Sequence, residues 1–199
     1  MKISHMIVAA AGCALTSAAM ADVFTDEAAF LGALDSSYTN DFADVPVGVS
    51  PDLMYSSGGF SYTISATGAG SNSLYNDPSI VSTDSAVDSI LVTFTSGNVT
   101  AVGGNFWATD ILVFPTGTDV TITLSDGTVE SFTSTGPSDF RGFTSNVAID
   151  SIMIDAVDGF DGTPYWATMD NLTVGAVPAP GALALLGLGG LSATRRRRA

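Results

Sequence analysis

The sequence predicts an all-β protein, an antiparallel β-sandwich or jelly roll, with one short helix near its N-terminus and an apolar helix at its C-terminus. Three observations lead there. Apolar residues alternate with Ser and Thr at period two, as in Phe60-Ser-Tyr-Thr-Ile-Ser-Ala66 and Asp119-Val-Thr-Ile-Thr-Leu124, the pattern of strands with one buried face. Gly, Asp, Asn, Pro and Ser recur between such runs and supply the turns. No helical pattern is interleaved with the strands, and many short strands at this spacing suit a single domain of about 150 residues.

Residues 1–21 read as an export signal. Lys2 opens it, an apolar run extends from Met6 to Leu15, and Ala19 and Ala21 form the small-x-small pattern that signal peptidase cuts. The mature chain is expected to begin at Asp22. The run is too short for a permanent span, which needs roughly 20 apolar residues. A lipidated Cys13 fits less well, since Ala10, Ala11 and Gly12 lack the usual leucine and apolar sequence continues past the cysteine.

A helix is expected over Thr25–Leu34, with Thr25 as cap, Asp26 and Glu27 at the positive end of the dipole, and Phe30, Leu31 and Leu34 on one face. The stretch Asp52–Ser89, which contains the strand at 60–66, is the least structured. Gly68-Ala-Gly-Ser-Asn-Ser73 and Asn76-Asp-Pro78 read there as exposed turns. Further strands are expected at Ser89–Ser96, Val99–Trp107, Asp119–Leu124, Thr128–Thr133, Ile149–Asp155 and Tyr165–Val174, with Ser125-Asp-Gly-Thr128 as a hairpin turn. A β-barrel is the main alternative architecture. An outer-membrane barrel would need strands of roughly 10 residues with aromatic girdles, and these are shorter. No internal repeat points to a solenoid. The domain, 22–176, ends where Val177-Pro-Ala-Pro-Gly181 interrupts any ladder. Residues 177–199 then form a proline elbow, an apolar helix from Ala182 to Leu191, and the cluster Arg195, Arg196, Arg197 and Arg198.

Composition excludes much chemistry. His5 and Cys13 are the only histidine and cysteine, and both lie in the signal, so the mature chain has no disulfide. It also lacks lysine. Serine and cysteine triads of the usual type, Schiff bases, histidine-ligated zinc and phosphate loops are therefore not expected. Between residues 22 and 176 stand 20 acids against Arg141 alone, a net charge of −19. Such a surface disfavours nucleic acid and anionic lipid and favours divalent cations or high salt. A two-carboxylate glycoside hydrolase survives this filter as the third reading, with no preferred pair among the acids.

Two kinds of site are worth naming. Asp155-Ala-Val-Asp-Gly-Phe-Asp-Gly162 sets Asp155, Asp158 and Asp161 in a glycine-rich loop, and hard oxygen donors are what calcium takes, although the spacing is not that of an EF-hand. The plainer reading is that these acids solvate turns. For sugars, Trp107 and Trp166 are the leading stacking candidates, with Tyr165, Tyr62 and Tyr75 behind them. Phe106-Trp107 and Tyr165-Trp166 put neighbours on opposite faces, so one of each pair belongs to the core. Arg141 is expected to pair with a nearby acid rather than clamp a ligand. Thr121 and Thr123 form a single Thr-x-Thr unit, whereas an ice-binding face would repeat it in register.

Proline elbow, apolar helix and arginine cluster together make the tail resemble the PEP-CTERM sorting signal, through Pro178 and Pro180, with Ala179 where that pattern has glutamate. A similar tail is also labelled the C-terminal motif of ice-binding proteins. The resemblance implies export, transient membrane attachment through the C-terminal helix, processing by an exosortase near Pro178-Ala-Pro180, and release to the cell envelope or extracellular matrix. The body is similar to β-sandwich domains found before this tail, through Phe24-Thr-Asp26, Phe30, Asp41-Phe42, Gly104-Asn-Phe106, Arg141-Gly-Phe143 and Ala167–Gly175. Asp170, beside Asn171, resembles the acid that helps hold structural calcium in jelly-roll carbohydrate-binding domains, with Asp41 or Asp44 as partners. The expected function is a non-catalytic structural or binding role at the cell surface or in an exopolysaccharide matrix. The alternative is a carbohydrate-binding module stabilised by calcium. The expected partners are the export machinery, signal peptidase, an exosortase-type enzyme and exopolysaccharide.

Overall fold

The computed structural model describes residues 20–159 and 162–178. In chain order the elements are β1 (Asp22–Phe24), α1 (Glu27–Gly32), β2 (Ser36–Asn40), β3 (Gly48–Ser50), β4 (Leu53–Ser57), β5 (Phe60–Gly68), β6 (Leu74–Asp77) and β7 (Ile80–Thr83). They continue with β8 (Asp88–Phe94), β9 (Ala101–Thr109), β10 (Pro115–Thr116), β11 (Asp119–Leu124), β12 (Val129–Thr133), β13 (Phe140–Thr144), β14 (Ser151–Ala156) and β15 (Trp166–Ala176). The protein is all-β, and all its strand pairs are antiparallel among the described residues.

Two sheets result. The larger has nine strands in the order β1-β13-β9-β15-β7-β6-β3, with β10 added to β9 and β2 to β15. The smaller has six, in the order β12-β11-β14-β8-β5-β4. Alternation decides what each buries: Phe60, Tyr62, Ile64 and Ala66 of β5, Ile90 and Val92 of β8, and Ile152 and Ile154 of β14 join Val102, Phe106, Ala108, Met169 and Val174 of the larger sheet in one core cluster. Apart from Asp119, the outward positions of β5 and β11 are Ser and Thr, which is why the period-two pattern is so plain in their sequence.

Three expectations change. The cap of α1 is Asp26, not Thr25: its Oδ1 accepts from Ala29 N at 2.7 Å, and the helix spans only Glu27–Gly32. The expected loops in 52–89 contain β4, β6 and β7. These are short and partly polar, and their order comes from pairing with β5 and β15 rather than from local preference. Thirdly, β9 is buried on both faces along its whole length, so it lacks the one-sided exposure expected at Phe106-Trp107. The Ser125–Thr128 hairpin is as expected, with Gly127 at φ 91° and its N–H donating to Leu124 O.

What covers one half of β9 is α1. Gly103 of β9 and Gly142 of β13 are register partners, and the ring of Phe30 sits so close that an added Cβ would approach it at 2.9 and 2.6 Å respectively. Phe30, Ala101 and Phe140 form a second, smaller cluster on this outer face, with Phe24, Leu34 and Val177 packed around it. Among the described residues no helix is long and apolar enough to cross a membrane. The signal up to Ala19, the segment 160–161, and the tail from Ala179, including Pro180, Arg195 to Arg198 and the apolar helix, lie outside the described residues.

Candidate functional site

The outer face of the larger sheet has two ends. Helix α1 closes one; the other is open and holds a cleft of about 280 Å³ lined by Tyr75, Ser82, Thr83, Asp84, Thr109, Asp110, Ile111, Val113 and Trp166. Register explains the grouping. Tyr75 of β6 lies opposite Ser82 of β7, Ser82 opposite Thr168 of β15, and Trp166 opposite Thr109 of β9. The intervening residues Leu74, Val81, Ala167 and Ala108 point into the core, so alternation turns Tyr75, Ser82, Trp166 and Thr109 outward together.

The floor is a directed chain of hydroxyls. Ser82 Oγ donates to Ala167 O at 2.9 Å and Thr168 Oγ1 to Ser82 Oγ at 3.1 Å. Thr168 has one hydrogen, so in the 3.0 Å contact between Thr109 and Thr168 it is Thr109 that donates. The oxygen of Thr109 is left as the accepting end. Thr83 Oγ1 is buried beside the cleft with no hydrogen-bond partner.

One wall is the loop of residues 110–114. Asp110 Oδ1 accepts from Leu112 N at 2.9 Å and Phe114 N at 3.0 Å, while Asp110 N donates to Phe114 O at 2.9 Å. Val113 adopts φ 66°, a left-handed conformation that costs a β-branched residue more than most. The loop so held projects Ile111, Leu112 and Phe114, which are 75%, 69% and 63% exposed. An aromatic pair over a hydroxyl floor, bounded by carboxylates and a rigid apolar wall, can stack a ring and hydrogen-bond its polar edge. Comparison with protein-family models, curated proteins and solved structures gives no match for this chain.

Of the predicted stacking residues, Trp166 and Tyr75 meet in this cleft. Trp107 is a correction: it points away from the inter-sheet core, as alternation requires, yet is only 2% exposed and offers no platform. Tyr62 is a second correction, fully buried against Tyr55 with ring centroids 5.3 Å apart, its hydroxyl accepting from Asn40 Nδ2 at 3.1 Å. Burial pushes the Tyr62 phenol well above its ordinary range. Tyr165 borders a separate open hollow of about 820 Å³ with Gly117, Thr118, Asp119, Thr133 and Asp158. Sequence reading missed Ser82, Asp84, Thr109, Asp110 and Thr168; their only local signal is that Asp110 begins a turn.

The predicted calcium acids are dispersed. Asp155 lies on the outer side of the smaller sheet and accepts from Ser89 Oγ at 2.9 Å. Asp158 borders the hollow beside Tyr165. Asp161 lies outside the described residues. Asp170 is on the outer side of the larger sheet, where β15 bulges between Asp170 and Thr173 and Asn171 takes φ 52°. The bulge tucks the Asp170 carboxylate against Asn171, whose backbone N donates at 2.6 Å. Burial raises the Asp170 pKa above the usual value, the Asn171 N–H partly opposes this, and nearby Asp41 adds to the rise. Among the described residues no group of three His, Cys, Asp or Glu side chains stands together.

Arg141 is a structural cation. It reaches from β13 to the edge strand of the other sheet, with Nε 3.4 Å from Glu130 Oε1, its guanidinium 3.7 Å above the Phe132 ring, and an N–H donating to Phe140 O. Ala21, the residue before the predicted cut, is buried and donates its backbone N–H to Thr128 Oγ1 at 2.9 Å.

Proposed function

We propose that this chain is an exported β-sandwich protein of the cell envelope or extracellular matrix that binds polysaccharide without cleaving it, at the cleft of Tyr75 and Trp166. The outward Trp166, set beside Tyr75 over the Ser82–Thr168–Thr109 hydroxyl chain, carries the reading. Aromatic faces stack on pyranose rings, and the Asp84 carboxylate at the same cleft can accept from a sugar hydroxyl. Two sheets sharing one core support the sandwich. A non-catalytic role is supported by the cleft's chemistry, in which Asp110 spends its carboxylate on loop amides, and by the lack of histidine, cysteine and lysine between residues 22 and 176. Export and sorting rest on the A-x-A signal and on the PEP-CTERM-like tail, whose processing would be the work of signal peptidase and an exosortase, with transient membrane attachment between. Calcium remains part of the proposal only at Asp170 with Asp41, the predicted acid whose negative charge adds to the rise of the Asp170 pKa.

A glycan array of the full-length protein tests the binding. At least one polysaccharide is expected to bind, and Trp166→Ala to weaken it by about tenfold or more, with Trp166→Phe recovering part. Silence on every polysaccharide defeats the reading. Mass spectrometry of the native protein tests the sorting: cuts are expected after Ala21 and near Pro178-Ala-Pro180, and released protein with its arginines intact overturns it.

A further inference from the structure

Strand order brings two acids to one rim of the cleft. In the larger sheet β15 lies between β9 and β7 and is antiparallel to both, so β9 and β7 run the same way and end on the same side. The first residue past each is an acid, Asp110 after β9 and Asp84 after β7. Both line the cleft, and Trp166, the first residue of β15, stands between them. Register agrees: Trp166 lies opposite Thr109, and the pairing of Thr168 with Ser82, carried two residues on, sets Asp84 level with Trp166. Neighbouring strands are about 4.8 Å apart, so the two acid-bearing rows are roughly 10 Å apart with the Trp166 row midway. Asp84 is exposed, its backbone N–H donates to Ser73 O at 2.9 Å, and among the described residues nothing donates to its carboxylate. Asp110 engages the loop amides through Oδ1. The only cation between residues 22 and 176, Arg141, is held by Glu130 and Phe132.

We infer that the cleft selects a glycan that carries a protonated amine on the ring it stacks, in preference to N-acetylated and to anionic sugars. The inference rests on the proposed binding at Trp166 and adds the charge of what is bound. An ammonium group over the face of Trp166 or Tyr75, both half-buried, is attracted by the ring quadrupole. The carboxylates on either side of Trp166 offer it charge-assisted hydrogen bonds. A neutral ring gains the stacking without these terms. A uronate brings a like charge to the same rim and is repelled. The net charge of −19 between residues 22 and 176 acts in the same sense at longer range, drawing cationic chains and turning anionic ones away.

Titration calorimetry of the full-length protein with three tetrasaccharides that differ at one ring, a free-amine hexosamine, its N-acetylated form or a uronate, tests this. At low ionic strength the free amine is expected to bind about tenfold more tightly than the N-acetylated form and the uronate most weakly, with the gaps closing in high salt. Asp84→Asn, which keeps the side-chain shape, should cut the preference for the amine to about threefold or less and leave affinity for the N-acetylated form unchanged. Asp150→Asn removes an equal charge from an exposed position just before β14 of the smaller sheet, and should leave the preference as it is in the wild type. Equal binding of the amine and its N-acetylated form, a preference that survives Asp84→Asn, or an equal loss in both variants overturns the inference while leaving binding at Trp166 standing. Silence on all three sugars with binding elsewhere on the glycan array also overturns it. Silence on both removes the proposed binding as well.

Discussion

Single side chains divide the larger sheet's outer face. Phe30 lies over the Gly103–Gly142 pair, and a methyl group on Gly142 would meet its ring at 2.6 Å. Gly142→Ala should therefore force the helix off its seat and cost about 1–3 kcal/mol, seen as a lowered midpoint in denaturant at unchanged slope. Asp170 makes the opposite prediction. Its pKa is raised on folding, so its ionised form weakens the folded state. The penalty is present at neutral pH, shrinks as pH falls through the folded pKa, and is gone below the unfolded value of about 4. Asp170→Asn, which can still accept from Asn171 N, should raise the melting temperature at pH 7 and change nothing near pH 3. A lowered melting temperature at pH 7 that calcium restores only in the wild type would instead mark Asp170 as a ligand.

At the level of elements, the loop of residues 110–114 depends on one carboxylate. Asp110→Ala removes the acceptor of Leu112 N and Phe114 N, so both amides should exchange about tenfold faster or more while the β9 amides stay protected. Glycan affinity should fall with the wall. How far such elements are legible in sequence follows from how locally they are determined. β5 and β11 alternate strictly and were placed within two residues of their bounds, and Ser125-Asp-Gly-Thr128 carries its own turn chemistry. β6 and β7 are four residues each, and nothing in Leu74-Tyr-Asn-Asp77 or Ile80-Val-Ser-Thr83 marks a strand until β15 pairs with β7. For the same reason Trp166 was legible as half of an adjacent aromatic pair in an expected strand, whereas Ser82, Thr109 and Asp110 become neighbours of it only through long-range register. Trp107 failed because a central strand covered on both sides has no exposed face for alternation to reveal.

For the whole molecule, charge is the dominant quantity. A net −19 between residues 22 and 176 with one arginine means that self-repulsion opposes folding at low ionic strength. Melting temperature should rise with sodium chloride. Calcium at matched ionic strength gives the discriminating measurement: a further rise, reversed by EDTA, indicates a specific site, and an equal rise indicates screening alone. The absence of disulfides leaves the shared core of the two sheets as the main source of stability, which makes this sensitivity to salt larger than in a stapled secreted domain.

Strand β15 runs from Trp166 at the cleft to Ala176 beside the small cluster around Phe30, where Val177 also packs. At about 3.3 Å per residue its ends are some 30 Å apart. The chain therefore leaves the domain at the pole opposite the Trp166 cleft. A copy held by its tail would carry the cleft like a hand at arm's length, turned outward from the surface that anchors it. Severing the tail would change its reach and not its grip.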